Sequence, residues 1–548
     1  MLWLQEQCSH WKIYIILIIT VGVLIADRVL RWYLLKHPPF VISTEFWGLP
    51  LRLLLVMLWA TAVWSVLIKV YYHDKTGRDY FEDRRNSRLG LFKLIQFYSL
   101  SDPYRMNEHN LPLLNWKEAD GIVFGHSGQR LVYRNISEDR GEGVNVIVCG
   151  RPGSNKTTAG VIPTCMRFGA CDTSGTNFDG AVLAIDIKGD ILHAVGNRRN
   201  IKVFAPYDCS NSAHYDPLHS IRHVSAYDRS IFLEQMASVL IPADGTESGR
   251  YYDEGARNFY VGISVFLLKQ DSQISFSEIC NQVVLGNAQK WLDNIDKSED
   301  MTAQRYVRNY QGNVEKNING IYSELSKRLR PFSCGSIAEV LTDDGDCITP
   351  QILEDGSDIY IEVPQESLSA ESTSSLLSML VSDFATAFMK RPDISVDSSQ
   401  RSILFMLDEF GQLYLPEIVS FCETLRSRKV SLYLVVQSLS TLEAKYGARK
   451  SEIIDCMRYF VIMSAQDVAT REFFQKLLGM RKILKQSYSE SLGIGQYNTK
   501  KDSGSGSQSE SESEEYIFKQ EDFSNLGKKL IVYADGNYIL CDKCYSYK

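Results

Sequence analysis

Near the start of the chain lie two long apolar runs. Ile13 to Ala26 holds fourteen residues without a charge before Asp27 and Arg28, and Leu53 to Ile68 holds sixteen between Arg52 and Lys69. A membrane-spanning helix needs about twenty residues, and about seventeen at the least, so both runs are short. Their flanks suit a membrane: Trp11, Trp32, Trp47, Trp64, Tyr33, Tyr71 and Tyr72 are amphipathic rings that sit at headgroup depth. The pattern predicts an anchor over residues 1–74 with two helices, about 13–35 and 50–72. The basic cluster Lys69, Lys75, Arg78, Arg84, Arg85 and Arg88 places the downstream chain on the cytoplasmic side.

Beyond the anchor the period shortens. Residues 75–140 read as a juxtamembrane linker with short strands at Gly121 to Phe124 and Arg130 to Tyr133. From Val144 onward, apolar runs of strand length alternate with helical stretches. These runs are Val144 to Cys149, Ala181 to Ile187, Ile201 to Ala205, Ser402 to Leu407, Ser431 to Val436 and Tyr459 to Met463. Such alternation predicts an α/β fold, a parallel sheet with helices on both faces, over residues 141–224 and 336–548. Between them, residues 225–335 carry helical periodicity and few strand signals, at Ile231 to Ile241, Gly255 to Lys269, Phe276 to Leu285 and Val314 to Phe332. That segment reads as an all-α insertion. Ser503 to Glu515 holds six Ser, two Gly, one Gln and four Glu. It has nothing to bury, so a disordered loop is expected over about 498–515. Leu530 to Leu540 reads as a hairpin turning at Asp535-Gly536.

Composition narrows the class. The 548 residues are 45 % hydrophobic and 23 % charged, an ordinary globular balance that excludes a mostly disordered chain, a collagen and a many-helix transporter. A net charge of −7 argues against a whole-molecule electrostatic grip on nucleic acid, so any such contact is local. The twelve cysteines show no framework spacing, which fits a reduced, cytosolic body. Cys541 and Cys544 form a lone CxxC with no matching second pair, too few ligands for zinc.

The sharpest chemistry is the stretch VNVIVC-GRPGSNKTT, residues 144–158. A buried strand feeding a tight Gly-rich loop and then a helix aims backbone N–H groups at phosphate oxygens. Gly150, Gly153, Ser154, Asn155, Lys156, Thr157 and Thr158 are the candidate cofactor-binding residues. Lys156 would reach the β- and γ-phosphates of ATP, and the Thr157 hydroxyl would ligate Mg²⁺. The usual second Gly of such loops is replaced by Asn155, the side chain that best tolerates positive φ. A phosphate loop needs a distant acid, and Ser402 to Leu407 ends in Asp408-Glu409. Asp408 would hold the metal and Glu409 would orient or deprotonate the attacking water. The expectation is that these carboxylates come from a strand adjacent to the loop's own. Asp186, at the end of another strand, reads as a polar strand end near the site. Arg426 is a candidate arginine finger for a neighbouring subunit, and Gln437, at the end of Ser431 to Val436, a candidate γ-phosphate sensor.

Several segments in order carry a family likeness: GRPGSNKTT (150–158), VIPT (161–164), AIDIKGD (184–190), DIYIEVP (358–364), LDEF (407–410), RSRKVS (426–431), QSLSTLEAKYG (437–447) and SAQDVATREFFQKLLG (464–479). With the apolar start, this order resembles the type IV secretion coupling proteins, the TraG-like conjugative DNA-transfer ATPases. The resemblance implies a membrane-anchored, RecA-like P-loop ATPase with an inserted all-α domain. It implies a homo-hexamer at the inner face of the cell membrane, handing relaxase-bound DNA or protein substrates to a secretion channel. It matches Lys156 and Thr157 to the family's nucleotide residues, Asp408 and Glu409 to its acid pair, and Gln437 to its glutamine. Asn155, and Thr441 where the family often has Gln, depart from the pattern.

Other classes remain open beside that one. A non-hydrolysing docking scaffold of the same shape would account for Asn155. An FtsK-like DNA translocase calls for more membrane segments or a C-terminal winged helix. A membrane-anchored protease of the AAA type would need a motif such as HExxH, which the sequence lacks.

Overall fold

A computed structural model of the chain describes Arg28, residues 113–114, and residues 120–491 and 505–545 with gaps at 128–129, 172–177, 223, 226–227, 244–246, 313, 344 and 369. The two apolar runs expected as a membrane anchor lie outside the described residues. Among the described residues no helix is long and apolar enough to cross a membrane. The chain divides into two compact units, one made of residues 104–480 and 516–548, the other of residues 1–103 and 481–515.

The strands, in chain order, are β1 (Leu113–Leu114), β2 (Ile122–Ser127), β3 (Arg130–Arg134), β4 (Asn145–Cys149), β5 (Gly180–Ile187), β6 (Ile201–Phe204), β7 (Asp358–Val363), β8 (Ser402–Leu407), β9 (Val430–Val436), β10 (Tyr459–Ile462), β11 (Met480–Ser491), β12 (Ser505–Tyr516), β13 (Lys529–Ala534) and β14 (Asn537–Asp542). Twelve of them make one sheet in the order β1-β3-β2-β14-β13-β10-β4-β9-β8-β5-β7-β6. From β10 to β6 every pairing is parallel, and from β13 outward every pairing is antiparallel. Every strand run expected from the sequence is a strand here, and β7, from the DIYIEV segment, joins them. The hairpin turns where expected: Asp535 and Gly536 have φ of 50° and 81°. Two consecutive positive values are what a two-residue turn between right-twisted strands requires.

Burial explains why the central strands read as continuous apolar runs. β4, β5, β8 and β9 are buried along their whole lengths. Their side chains alternate between two cores, as a period of two demands. Val146, Val148, Tyr433 and Val435 pack on one face, and Ile147, Cys149, Leu432, Leu434 and Val436 on the other. The second core runs on into the helices between β6 and β7, through Phe259, Tyr260, Phe276 and Phe332. The elements there include the helices Arg229–Leu240, Glu247–Gln270, Phe276–Leu285, Ala288–Asp296, Met301–Val307 and Glu315–Leu329. These helices belong to the same compact unit as the sheet.

The Ser/Glu-rich segment departs from its expected disorder. Ser505–Tyr516 is strand β12, paired with β11 in a two-stranded sheet. Main-chain pairing needs no buried core. Composition speaks to core formation and is silent on strand pairing.

A buried ion pair ties β5 to β7. Arg199 bonds Asp358 in two places, one of them Nη2 to Oδ1 at 2.9 Å, and donates to the carbonyls of Phe168 (2.7 Å) and Gly180 (2.8 Å). The two side chains are 2 % and 0 % exposed. Removing one partner strands a charge in the core, so Arg199→Met should cost about 3–5 kcal/mol, read as a lower urea midpoint at unchanged m-value. A loss below about 1 kcal/mol would contradict the assignment.

Candidate functional site

β4 delivers the chain into a loop that only particular residues allow. Gly150 donates its N–H to the Val436 carbonyl at 3.1 Å. A Cβ at Gly150 would sit 2.4 Å from Ser154 Oγ and 3.2 Å from both Lys156 Cγ and Met463 Cβ, so any side chain there would force Ser154 to turn away. The Ser154 N–H donates to the Arg151 carbonyl (3.1 Å), and the Arg151 N–H to Ser464 Oγ (3.2 Å). The loop turns twice through left-handed backbone, at Gly153 (φ 76°) and Asn155 (φ 65°). For most residues that region costs about 1–2 kcal/mol, but Asn enters it routinely. Asn155 thus does conformationally what the usual glycine does. Thr157–Val161 then wind one wide helical turn that leads into the helix Ile162–Arg167.

The loop's side chains converge. Lys156 is buried, and its Nζ donates to the Gly150 carbonyl at 2.8 Å. The Thr157 hydroxyl donates to Asp408 Oδ2 at 3.0 Å. Asp408 ends the wholly buried β8, and its Oδ1 accepts the Glu409 N–H at 2.9 Å. Glu409 takes φ 52°, a left-handed turn that swings its side chain round. Its Oε2 accepts from Gln437 Nε2 at 3.0 Å. A hydrogen-bonded chain therefore links the C-terminal ends of β4, β8 and β9. Two further buried hydroxyls, Ser154 Oγ and Thr158 Oγ1, have no hydrogen-bond partner among the described residues. Buried polar groups left unpaired are costly, and both lie on the loop.

Asp408 carries a strongly perturbed carboxyl. Burial, and then the neighbouring Glu409 charge, push its carboxyl up to about 6, against the Thr157 hydroxyl, the Glu409 N–H and Lys156. A hydroxyl and a buried carboxylate 3.0 Å apart, with a second carboxylate beside them, are hard oxygen donors of the kind Mg²⁺ takes. The residues present fit that ion.

Sequence and structure part company over strand order. The acid strand β8 is not adjacent to β4, because β9 lies between them. The side chains reach one another because both strands end at the same rim of the sheet. Arg426 is not brought to this rim. Its carbonyl accepts the Gly143 N–H (2.9 Å) and its Nε lies 3.5 Å from Glu142 Oε2, at the opposite end of β4. The five residues of β4 put about 15 Å between that end and the loop. Asp186 caps the helix Asp190–Val195, its two oxygens accepting the Ile191 (3.2 Å) and Leu192 (2.7 Å) N–H groups, and so it is a structural strand end. Thr441 spends its hydroxyl on the Ser438 carbonyl at 2.6 Å. Two residues that the sequence does not point to touch the loop: Ser464, and Lys543, whose Nζ donates to the Ser154 carbonyl at 3.0 Å. Ser464 at least opens one of the family-like segments, whereas Lys543 carries no signal at all.

Comparison with known proteins agrees with this geometry. A family model described as "Type IV secretory system Conjugative DNA transfer" matches residues 106–548. The fold is similar to that of the bacterial conjugative coupling protein TrwBdeltaN70 in its unbound form, with a TM-score of 0.59 at 16 % identity, covering 79 % of this chain and 89 % of that one. It is similar to TrwB in complex with the ATP analogue ADPNP, with a TM-score of 0.57 at 15 % identity over 80 % and 95 % of the two chains. It is similar also to TrwB in complex with ADP and Mg²⁺, with a TM-score of 0.55 at 16 % identity over 73 % and 84 %. No match was found among curated proteins.

The raised Asp408 carboxyl has a measurable cost. An acid whose folded pKa lies above its unfolded value binds protons more tightly in the folded chain. Stability therefore falls as pH rises from about 4 to about 6, and the deficit persists above that. In metal-free buffer Asp408→Asn should raise stability at pH 8 by roughly 2 kcal/mol, an advantage that shrinks as pH approaches 5. Thermal melts across pH check this, and a pH-independent loss would contradict it.

Proposed function

The chain belongs to the type IV secretory system conjugative DNA-transfer family, and we propose that it is the membrane-anchored ATPase that couples DNA or protein cargo to the secretion channel. The observation that carries this reading is the Thr157–Asp408 hydrogen bond, which joins residues 251 apart in sequence at one rim of the sheet. A phosphate loop alone is common. A loop whose threonine meets a buried acid, itself followed by a glutamate held by a strand-end glutamine, is the layout of a hydrolytic site.

In this reading ATP lies against Gly150–Thr158, with Thr157 and Asp408 holding Mg²⁺, which would offset negative charge on the phosphate oxygens. Lys156 exchanges the Gly150 carbonyl for the β- and γ-phosphates. Ser154 and Thr158 supply donors to the same oxygens. Glu409 orients the attacking water and takes its proton, and Gln437 fixes the Glu409 carboxylate and senses the γ-phosphate. Arg426 sits too far from its own loop to act there, and more than half of its side chain is exposed. That position suits a residue that completes the site of the next subunit, so the nucleotide lies between subunits of a homo-hexamer. Residues 1–74 anchor the chain as a two-helix hairpin in the cell membrane, with the body in the cytoplasm. Residues 75–140 lead to the RecA-like domain, residues 141–224 and 336–548. The helices of 225–335 form its all-α domain. The cargo is a relaxase-bound DNA strand or a protein.

Lys156→Ala should drop ATP turnover below about 1 % of wild type while the chain stays folded, since the fold loses only the hydrogen bond to the Gly150 carbonyl. Glu409→Gln should still bind ATP and lose turnover by about 10²–10⁴-fold. Arg426→Ala should be inactive alone yet regain partial turnover when mixed with Lys156→Ala subunits, since each supplies what the other lacks. ATPase assays with DNA and lipid present read all three. Full turnover in Lys156→Ala would refute the reading. ATP binding without turnover in wild type, cured by Asn155→Gly, would mark a docking scaffold instead.

A further inference from the structure

Lys543 follows β14 near the end of the chain and is 3 % exposed. Its Nζ donates to two main-chain carbonyls, Ser154 in the phosphate loop (3.0 Å) and Gly527 before β13 (2.8 Å). Its own N–H is fixed by the Lys528 carbonyl at 2.8 Å. Among the described residues no carboxylate pairs with it. Burial pushes its pKa down, and the Arg151 charge adds to that. A buried ammonium held only by carbonyl dipoles is an uncompensated positive charge, which proteins seldom keep without a use.

The peptide plane shows what it does. In a trans peptide the carbonyl of one residue and the N–H of the next point in opposite directions. Holding the Ser154 carbonyl toward Lys543 therefore turns the Asn155 N–H away from it. The same bond fixes one flank of the left-handed turn at Asn155 (φ 65°), where a glycine would be freer to wander.

We propose that Lys543 is a positioning residue of the phosphate loop: it braces the Ser154–Asn155 peptide so that the amides face the phosphates, and its unpaired charge favours a polyphosphate over an uncharged nucleoside. This rests on reading Gly150–Thr158 as a triphosphate cradle. It also makes the C-terminal hairpin part of the nucleotide site, since the hairpin carries the brace and receives the strain when the loop moves.

The test compares the full wild-type chain with Lys543→Met and Lys543→Arg. ATP, ADP and adenosine binding are measured by displacement of a fluorescent ATP analogue, with melting temperatures recorded alongside. Lys543→Met should weaken ATP and ADP about tenfold and leave adenosine unchanged, and Lys543→Arg should recover most of the loss. A merely structural prop would lower the melting temperature without sorting ligands by phosphate. If wild type binds ATP and folded Lys543→Met binds it within twofold of wild type, the proposal falls and the cradle stands. A wild-type chain that binds no ATP removes the cradle itself. Should Lys543→Met fail to fold, hydrogen exchange on wild type decides. ATP, and not adenosine, should slow exchange in residues 541–545 as well as 150–158, and protection confined to the loop would overturn the proposal.

Discussion

One contact organises this molecule: the Thr157 hydroxyl against the Asp408 carboxylate, 3.0 Å apart. It forms because a parallel sheet brings the C-terminal ends of its strands to one rim. It persists because β4, β9 and β8 are buried along their lengths and have no freedom to slide. A one-residue slip would turn every core side chain to the wrong face, so register is strongly fixed. The strands thus act as rulers, and the site is where they all stop.

The rim is expensive to maintain. Glu409 sits in left-handed backbone within the site, a conformation its side chain disfavours. Asp408 is buried beside another acid, and among the described residues the Ser154 and Thr158 hydroxyls have no partners. Local strain and unsatisfied polarity gather where a ligand is to be bound, and the surrounding sheet supplies the stability that tolerates them. The buried Arg199–Asp358 pair shows the contrast. It too is charged and fully enclosed, but its carboxylate and guanidinium are matched, and it serves the fold alone.

Much of this is legible in the residues. Buried parallel strands read as unbroken apolar runs, so nearly all the sheet can be placed. What sequence does not carry is lateral order. Nothing in Ser402–Leu407 says that β9 lies between it and β4, because strand order is settled by crossovers and helix packing. Arg426 is legible in part: it precedes β9 in the chain, and in a parallel sheet a residue before a strand lies at the rim opposite the loop that follows β4. β12 escapes a compositional reading because alternating Ser and Glu offer no apolar face, yet main-chain pairing requires none. Lys543 is invisible for a different reason: a lone lysine near a terminus has no pattern, and only the return of β14 to the sheet carries it to the loop.

The most direct test of the central claim is a cryo-electron microscopy map of the full chain with a non-hydrolysable ATP analogue and Mg²⁺. The account predicts the triphosphate wrapped by residues 150–158, with a metal ion about 2.1 Å from Thr157 Oγ1 on the Asp408 side. A nucleotide bound elsewhere, with the Thr157–Asp408 hydrogen bond intact and the loop empty, would contradict it.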